Sequence, residues 1–151
     1  MKTVQKAERS SGRIAYWVAT ILVCAELLTG GSMDLLRTHY VVGIMTRLGY
    51  PLYVLTILGV WKILGIPALL APGLPRLKEW AYAGIFFDMS GALFSHAICG
   101  EFSATLAPIV IAGLAMVSWQ LRPQSRTCGA ILAETRVKVG DGSEGLAGRA
   151  L

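Results

Sequence analysis

Four apolar stretches of about twenty residues dominate this chain, and three of them carry an ionisable residue near mid-length: Glu26, Lys62 and Asp88. The stretches run from about Ile14 to Met33, Pro51 to Ala71, Trp80 to Cys99 and Phe102 to Leu121. At about 1.5 Å of rise per residue, each is long enough for a hydrocarbon core of roughly 30 Å. A helix this apolar on every face needs a large protein or a bilayer around it, and 151 residues supply only one domain. A charge at the centre of such a helix costs roughly 2.5–3.5 kcal/mol on insertion scales, so it is paired, buried or functional. The expected fold is therefore all-α, a four-transmembrane-helix bundle with a polar interior.

Composition agrees: 54% of residues are hydrophobic, 15% are charged, and the mean hydropathy is +0.58, a profile outside that of soluble domains. The net charge of +5 forms no nucleic-acid stripe, because the basic residues gather at the tails and in one short loop. Lys2, Lys6, Arg9, Arg13, Arg76, Lys78, Arg122 and Arg126 fall on one side of the four spans, against Arg37 and Arg47 on the other. That asymmetry places both termini in the cytoplasm, with the lipid bilayer as partner and no nucleic acid. Tyr16, Trp17, Trp80, Tyr82 and Trp119 near the inner boundary, and Tyr50 and Tyr53 near the outer one, suit aromatic belts. The first stretch also has ingredients of a secretory signal, with Gly30, Gly31 and Ser32 as small residues. Its length and the interrupting Glu26 favour a retained span.

The chain divides into a basic tail at 1–13, a membrane domain at 14–121 and a tail at 122–151. That last segment is expected to be disordered, because it is rich in Gly, Ala, Ser and charge without a sustained period. Between the first two spans, Asp34 to Gly49 mixes Asp34, Arg37, His39 and Arg47 with apolar residues. This pattern suits an amphipathic segment lying at the outer interface.

Counting helical rise from the span ends puts Glu26 roughly 4 Å outward of the midplane, Lys62 within about 2 Å of it, and Asp88 about 2 Å inward. The three form a candidate intramembrane polar cluster, with His96 about two turns outward of Asp88 and with Asp34, Arg37 and His39 at the outer mouth. Gly84, Asp88, Gly91 and Ser95 share one helical face, and Gly59, Lys62 and Gly65 share another. Small residues of this kind let membrane helices approach closely. Ala104, Pro108, Ala112 and Ala115 give the fourth span a packing role. The cluster admits two readings. It is either a satisfied ion-pair network that holds the helices in register, or a site that binds or passes protons or hydrogen-bonds a polar head such as a quinone carbonyl.

His96 reads as a hydrogen-bonded interfacial residue, and with His39 it shows no metal or haem ligand spacing. Cys24 and Cys99 read as packing residues and Cys128 lies in the tail; without a C-x-x-C pair, thiol-disulfide chemistry is disfavoured. There is no phosphate loop, nucleophile elbow, dinucleotide fingerprint or covalent cofactor motif, and no Asn for N-glycosylation. The sequence names no catalytic residue and no oligomeric state.

The run YVVGIMTRLGYPLYVLTILGVWKILG at Tyr40 to Gly65, then LPRLKEWAYAG at Leu74 to Gly84 and FFDMSGALFSH at Phe86 to His96, resembles the DoxX-like family of small bacterial membrane proteins. The resemblance covers about residues 14 to 121. It implies a four-helix bundle in the inner membrane, and an accessory role in a quinone-linked redox or stress-response system with a membrane redox partner. DoxX is named for its relation to subunits of thiosulfate:quinone oxidoreductase. Glu26, Lys62, Asp88 and His96 match polar positions of the family pattern, which brings no catalytic residue with it. A small proton-coupled carrier and a purely structural bundle are the alternatives, the former a poor match to transporters built on broken helices.

Overall fold

The computed structural model describes residues 2–123, with side chains from residue 11 onward; the segment expected as a tail from Gln124 lies outside the described residues. Five α-helices follow in order: α1 Lys2–Leu35, α2 His39–Leu48, α3 Tyr53–Leu70, α4 Pro75–Ile98 and α5 Leu106–Leu121, with a 3₁₀ turn Phe102–Thr105 before α5. No strand occurs among the described residues, so the all-helical expectation holds. Among the described residues, three segments are long and apolar enough to cross a membrane: Ser11–Leu35, Tyr53–Leu70 and Phe102–Leu121. With 24 residues, α4 has the length, but Arg76, Lys78, Glu79 and Asp88 dilute its apolar run.

The ends of the helices follow from local chemistry. α1 begins at Lys2, well before the apolar run, in a segment with no Gly or Pro ahead of Gly12. It stops where Arg37 turns the chain at φ 48°. α2 ends at Gly49, whose φ of 77° turns the chain so that the Tyr50 N–H reaches the Met45 carbonyl at 2.9 Å, and Pro51 follows. Pro75 opens α4, where its missing N–H costs nothing.

α1 is the central helix, packed against both α3 and α5, while α4 leans on α5 and meets α3 only along a loose seam. The core joins all four long helices through Val23, Leu27, Leu69, Tyr82, Ile85, Met89 and Ala115. Val23 is fully buried, whereas Phe87 is 70% and Ile98 84% exposed, so large apolar side chains cover the outside as a lipid-facing protein requires. The closest helix approach is α1 on α3: a Cβ on Gly59 would lie 2.9 Å from the Gly31 carbonyl oxygen and 2.8 Å from Leu35 Cγ. Gly84 and Gly91, expected on a packed face, instead look into open space, with nothing within 4 Å of a Cβ at either position. Gly84 borders the loose seam, and tight packing falls to Gly31 and Gly59.

Lys78 departs from its expected place as a loop charge. It is only 1% exposed, and its Nζ donates to the carbonyls of Ala68 and Leu69 at 3.2 and 2.5 Å. A cation there satisfies carbonyls left over at the C-terminus of α3 and meets the negative end of its dipole. Replacing Lys78 with Met should lower stability by about 2 kcal/mol, the upper end of the range for a cation at a helix C-terminus. Unfolding titrations in mixed micelles measure this, and an unchanged midpoint would refute the capping role.

Candidate functional site

The charge cluster is built mainly by α1 and α3, with one acid from α4. On α1, Glu26, Gly30 and Asp34 recur every four residues and so share one face. Lys62, near the middle of α3, donates from Nζ to Asp34 Oδ2 at 3.0 Å and lies 3.8 Å from Asp88 Oδ2. A side chain on Gly30 would fall 2.9 Å from Glu26 Oε1 and 3.6 Å from Lys62 Nζ, so glycine leaves the space in which these two groups approach. Glu26 Oε2 is buried with no hydrogen-bond partner among the described residues. Lys62 and Asp88 are thus brought together, with Glu26 facing the same space beside Gly30.

Asp34 is a correction. The sequence places it at an outer mouth, beyond an apolar run ending at Met33. The backbone carries α1 on to Leu35, which turns Asp34 inward as the shortest partner of Lys62. Arg37 stays at that end of the bundle and donates to Thr56 Oγ1 at 3.3 Å. His39 is exposed at the start of α2.

His96 is buried, but it does not extend the cluster. Its Nδ1 pairs with Glu101 Oε2 at 2.8 Å, and Glu101 Oε1 meets Arg47 of α2 at 3.0 Å. Tyr50 and Ser95 share a hydroxyl bond at 2.8 Å nearby, so these contacts tie α2 and its following loop to the end of α4. Cys24 packs against the core, whereas Cys99, expected to pack, is exposed at the end of α4. No group of three His, Cys, Asp or Glu side chains among the described residues is placed to hold a metal.

Beside the cluster, the seam between α3 and α4 opens into a cleft of about 700 Å³. Leu27 of α1 forms part of its wall, Trp61, Leu64, Gly65 and Pro67 line the α3 side, and Trp80, Gly84 and Ile85 the α4 side. Among the described residues, Lys62 and Asp88 are the only ionisable ones lining it. Pro67 has no N–H to offer the helix ladder, and Gly65 and Gly84 have no side chains to fill the seam. An apolar cleft with a few convergent polar groups has the form of a small-molecule site.

A second polar layer lies toward the start of α1 and the end of α5. Thr20 Oγ1 and Ser118 Oγ are 2.7 Å apart, and Tyr82 OH is 2.7 Å from the same Ser118 oxygen; Thr20 also donates to the Tyr16 carbonyl. Farther out, Arg122 pairs with Glu79, which also accepts from Trp119 Nε1 at 2.8 Å. Burial acts to raise the Glu79 carboxyl, but the Trp119 and Arg122 bonds and the guanidinium charge outweigh it and hold the group below the usual range. From Thr20 to Glu26, and from Tyr82 to Asp88, about 9 Å of helix rise separates the two layers. Val23, Leu69, Ile85 and Ala115 of the core occupy that interval.

Residues 18–118 match the family model described as the DoxX-like family. The chain belongs to the DoxX-like family. In this DoxX-like chain the matched segment contains Glu26, Asp34, Lys62 and Asp88, both walls of the cleft and the Tyr82 and Ser118 hydroxyls. No curated protein and no solved structure matches it.

Sequence reasoning missed the role of Asp34, the Thr20, Ser118 and Tyr82 hydroxyl group, and the cleft itself. The four-residue recurrence of Glu26, Gly30 and Asp34 carries a signal for the first. The hydroxyls carry none, because Thr20, Tyr82 and Ser118 stand on three different helices and helix rotation decides whether they meet.

Proposed function

We propose that this protein is a four-span component of the bacterial inner membrane, with both termini cytoplasmic, that binds the polar head of a lipid-soluble ligand, foremost a quinone, at Lys62 and Asp88. It would serve there as an accessory to a quinone-linked redox or stress-response system. The carrying observation is that the Lys62 and Asp88 pair stands in the wall of an otherwise apolar cleft of about 700 Å³, a volume within the range of ligand pockets.

A fourth span is supported by the 24 residues of α4 and by the partners of its charges: Asp88 faces Lys62, and Lys78 caps α3. Arg76 and Arg122 lie at the end shared with the start of α1, and Arg37 and Arg47 at the other, which supports the orientation. The apolar layer between the two polar layers favours binding over a proton-coupled carrier, because a proton path along the bundle axis needs polar groups within hydrogen-bond reach.

The test is native mass spectrometry of protein extracted from quinone-replete membranes, comparing the wild type with Gly84→Leu. A Cβ at position 84 meets nothing within 4 Å, so the added side chain fills the cleft rather than the core. The wild type should carry quinone and the variant should lose it, with an unfolding midpoint no lower than that of the wild type. Equal quinone in both, or none in the wild type even after quinone is added, would overturn the reading.

A further inference from the structure

The polar groups facing the cleft are specific about what they accept. Lys62 already spends its short bond on Asp34 at 3.0 Å, while its contact with Asp88, at 3.8 Å, is too long for a hydrogen bond. A single oxygen at about 2.8 Å from both groups closes a triangle on that gap. Toward the Lys62 ammonium this oxygen must accept, and toward the Asp88 carboxylate it must donate. A hydroxyl does both. A carbonyl accepts from Lys62 but turns a lone pair toward the carboxylate, and leaves that acceptor unanswered.

Charge narrows the choice further. The cluster sets Glu26, Asp34 and Asp88 against the single ammonium of Lys62, so the formal balance is negative and repels carboxylate or phosphate heads. The direction of polarity excludes ordinary leaflet lipids as well. From Lys62 and Asp88 the walls continue through Pro67, Ala71, Leu74 and Leu77 to the α3–α4 connection without another ionisable group. A phospholipid has its head at the membrane surface and its chain ends deep, so it would lay methyl groups against the charged pair.

We infer that the cleft selects a neutral, hydroxyl-headed lipid, a hydroquinone or a long-chain alcohol, with the hydroxyl bridging Lys62 and Asp88 and the chain running toward the α3–α4 connection. This rests on the ligand-binding reading of the cleft and adds the identity and direction of the head. The reduced form of a quinone couple is then held in preference to the oxidised form.

The experiment uses the full chain in detergent with chain-matched probes: a decyl hydroquinone kept reduced, the corresponding decyl quinone, decanol and decanoate, with phosphatidylglycerol as the two-chain lipid. Binding is read by quenching of tryptophan fluorescence and by native mass spectrometry. The hydroquinone and decanol should each bind about tenfold or more tightly than the quinone, decanoate and phosphatidylglycerol, the worth of one charge-assisted hydrogen bond. Asp88→Asn keeps the Lys62 and Asp34 pair intact and supplies an amide N–H that can donate to a carbonyl, so it should erase the preference for hydroquinone over quinone. If decanol proves tight and the hydroquinone weak, the redox-linked source is excluded and the preference for the reduced form is overturned. Equal binding of hydroquinone, quinone and decanoate overturns the head-group inference while the cleft still binds a ligand, and so does a preference that survives in Asp88→Asn. Absence of binding by every probe overturns the ligand-binding reading itself.

Discussion

Replacing Lys62 with Met should destabilise the bundle by about 3–5 kcal/mol, the cost of removing one partner from a buried charge pair. Lys62 and Asp34 have side chains only 15% and 7% exposed, and Asp88 19%, so the acids left behind have little water to turn to. The loss comes from those orphaned acids more than from the missing bond, and the triple variant Lys62→Met, Asp34→Leu and Asp88→Leu separates the two. With these two acids converted to apolar groups, the part of the loss that they carry should return, while Glu26 stays behind as a buried acid without its cation. Reversible unfolding in mixed micelles measures both variants. A Lys62→Met midpoint within about 1 kcal/mol of the wild type would show that the pair does not hold α1, α3 and α4 together.

The pairing of Lys62 with Asp88, 3.8 Å apart, was legible in the sequence because both stand near mid-length in their apolar stretches. Rotation was less legible. The face of α4 bearing Gly84 and Gly91 reads as a packing surface, yet a Cβ at either position meets nothing within 4 Å, while the tight contact is made by Gly31 and Gly59. Asp34 was misplaced because the end of an apolar run is not the end of a helix, and the hydrogen-bond ladder of α1 runs on to Leu35. Lys78 shows the limit of charge counting in the same way. Its sign suits a surface loop, but a long flexible stem lets its ammonium reach the last carbonyls of α3 while its charge is removed from solvent.

The two glycine environments predict opposite results from related substitutions. At Gly59 a Cβ would press on the Gly31 carbonyl at 2.9 Å, and backbone cannot move aside as a flexible side chain can, so α1 must shift away from α3. Gly59→Leu should therefore cost about 3 kcal/mol, the upper part of the range for overpacking a close contact. Because the same crossing seats Lys62 against Asp34, the displacement should also weaken that pair. At Gly84 the added atom meets nothing within 4 Å, and Gly84→Ala should raise stability by about 0.5–1 kcal/mol through the lower helix propensity of glycine alone. Unfolding titrations of both variants under one set of conditions decide the matter. Equal destabilisation at the two sites would mean that α3 and α4 close on each other as tightly as α1 and α3 do, leaving no room for a ligand between them.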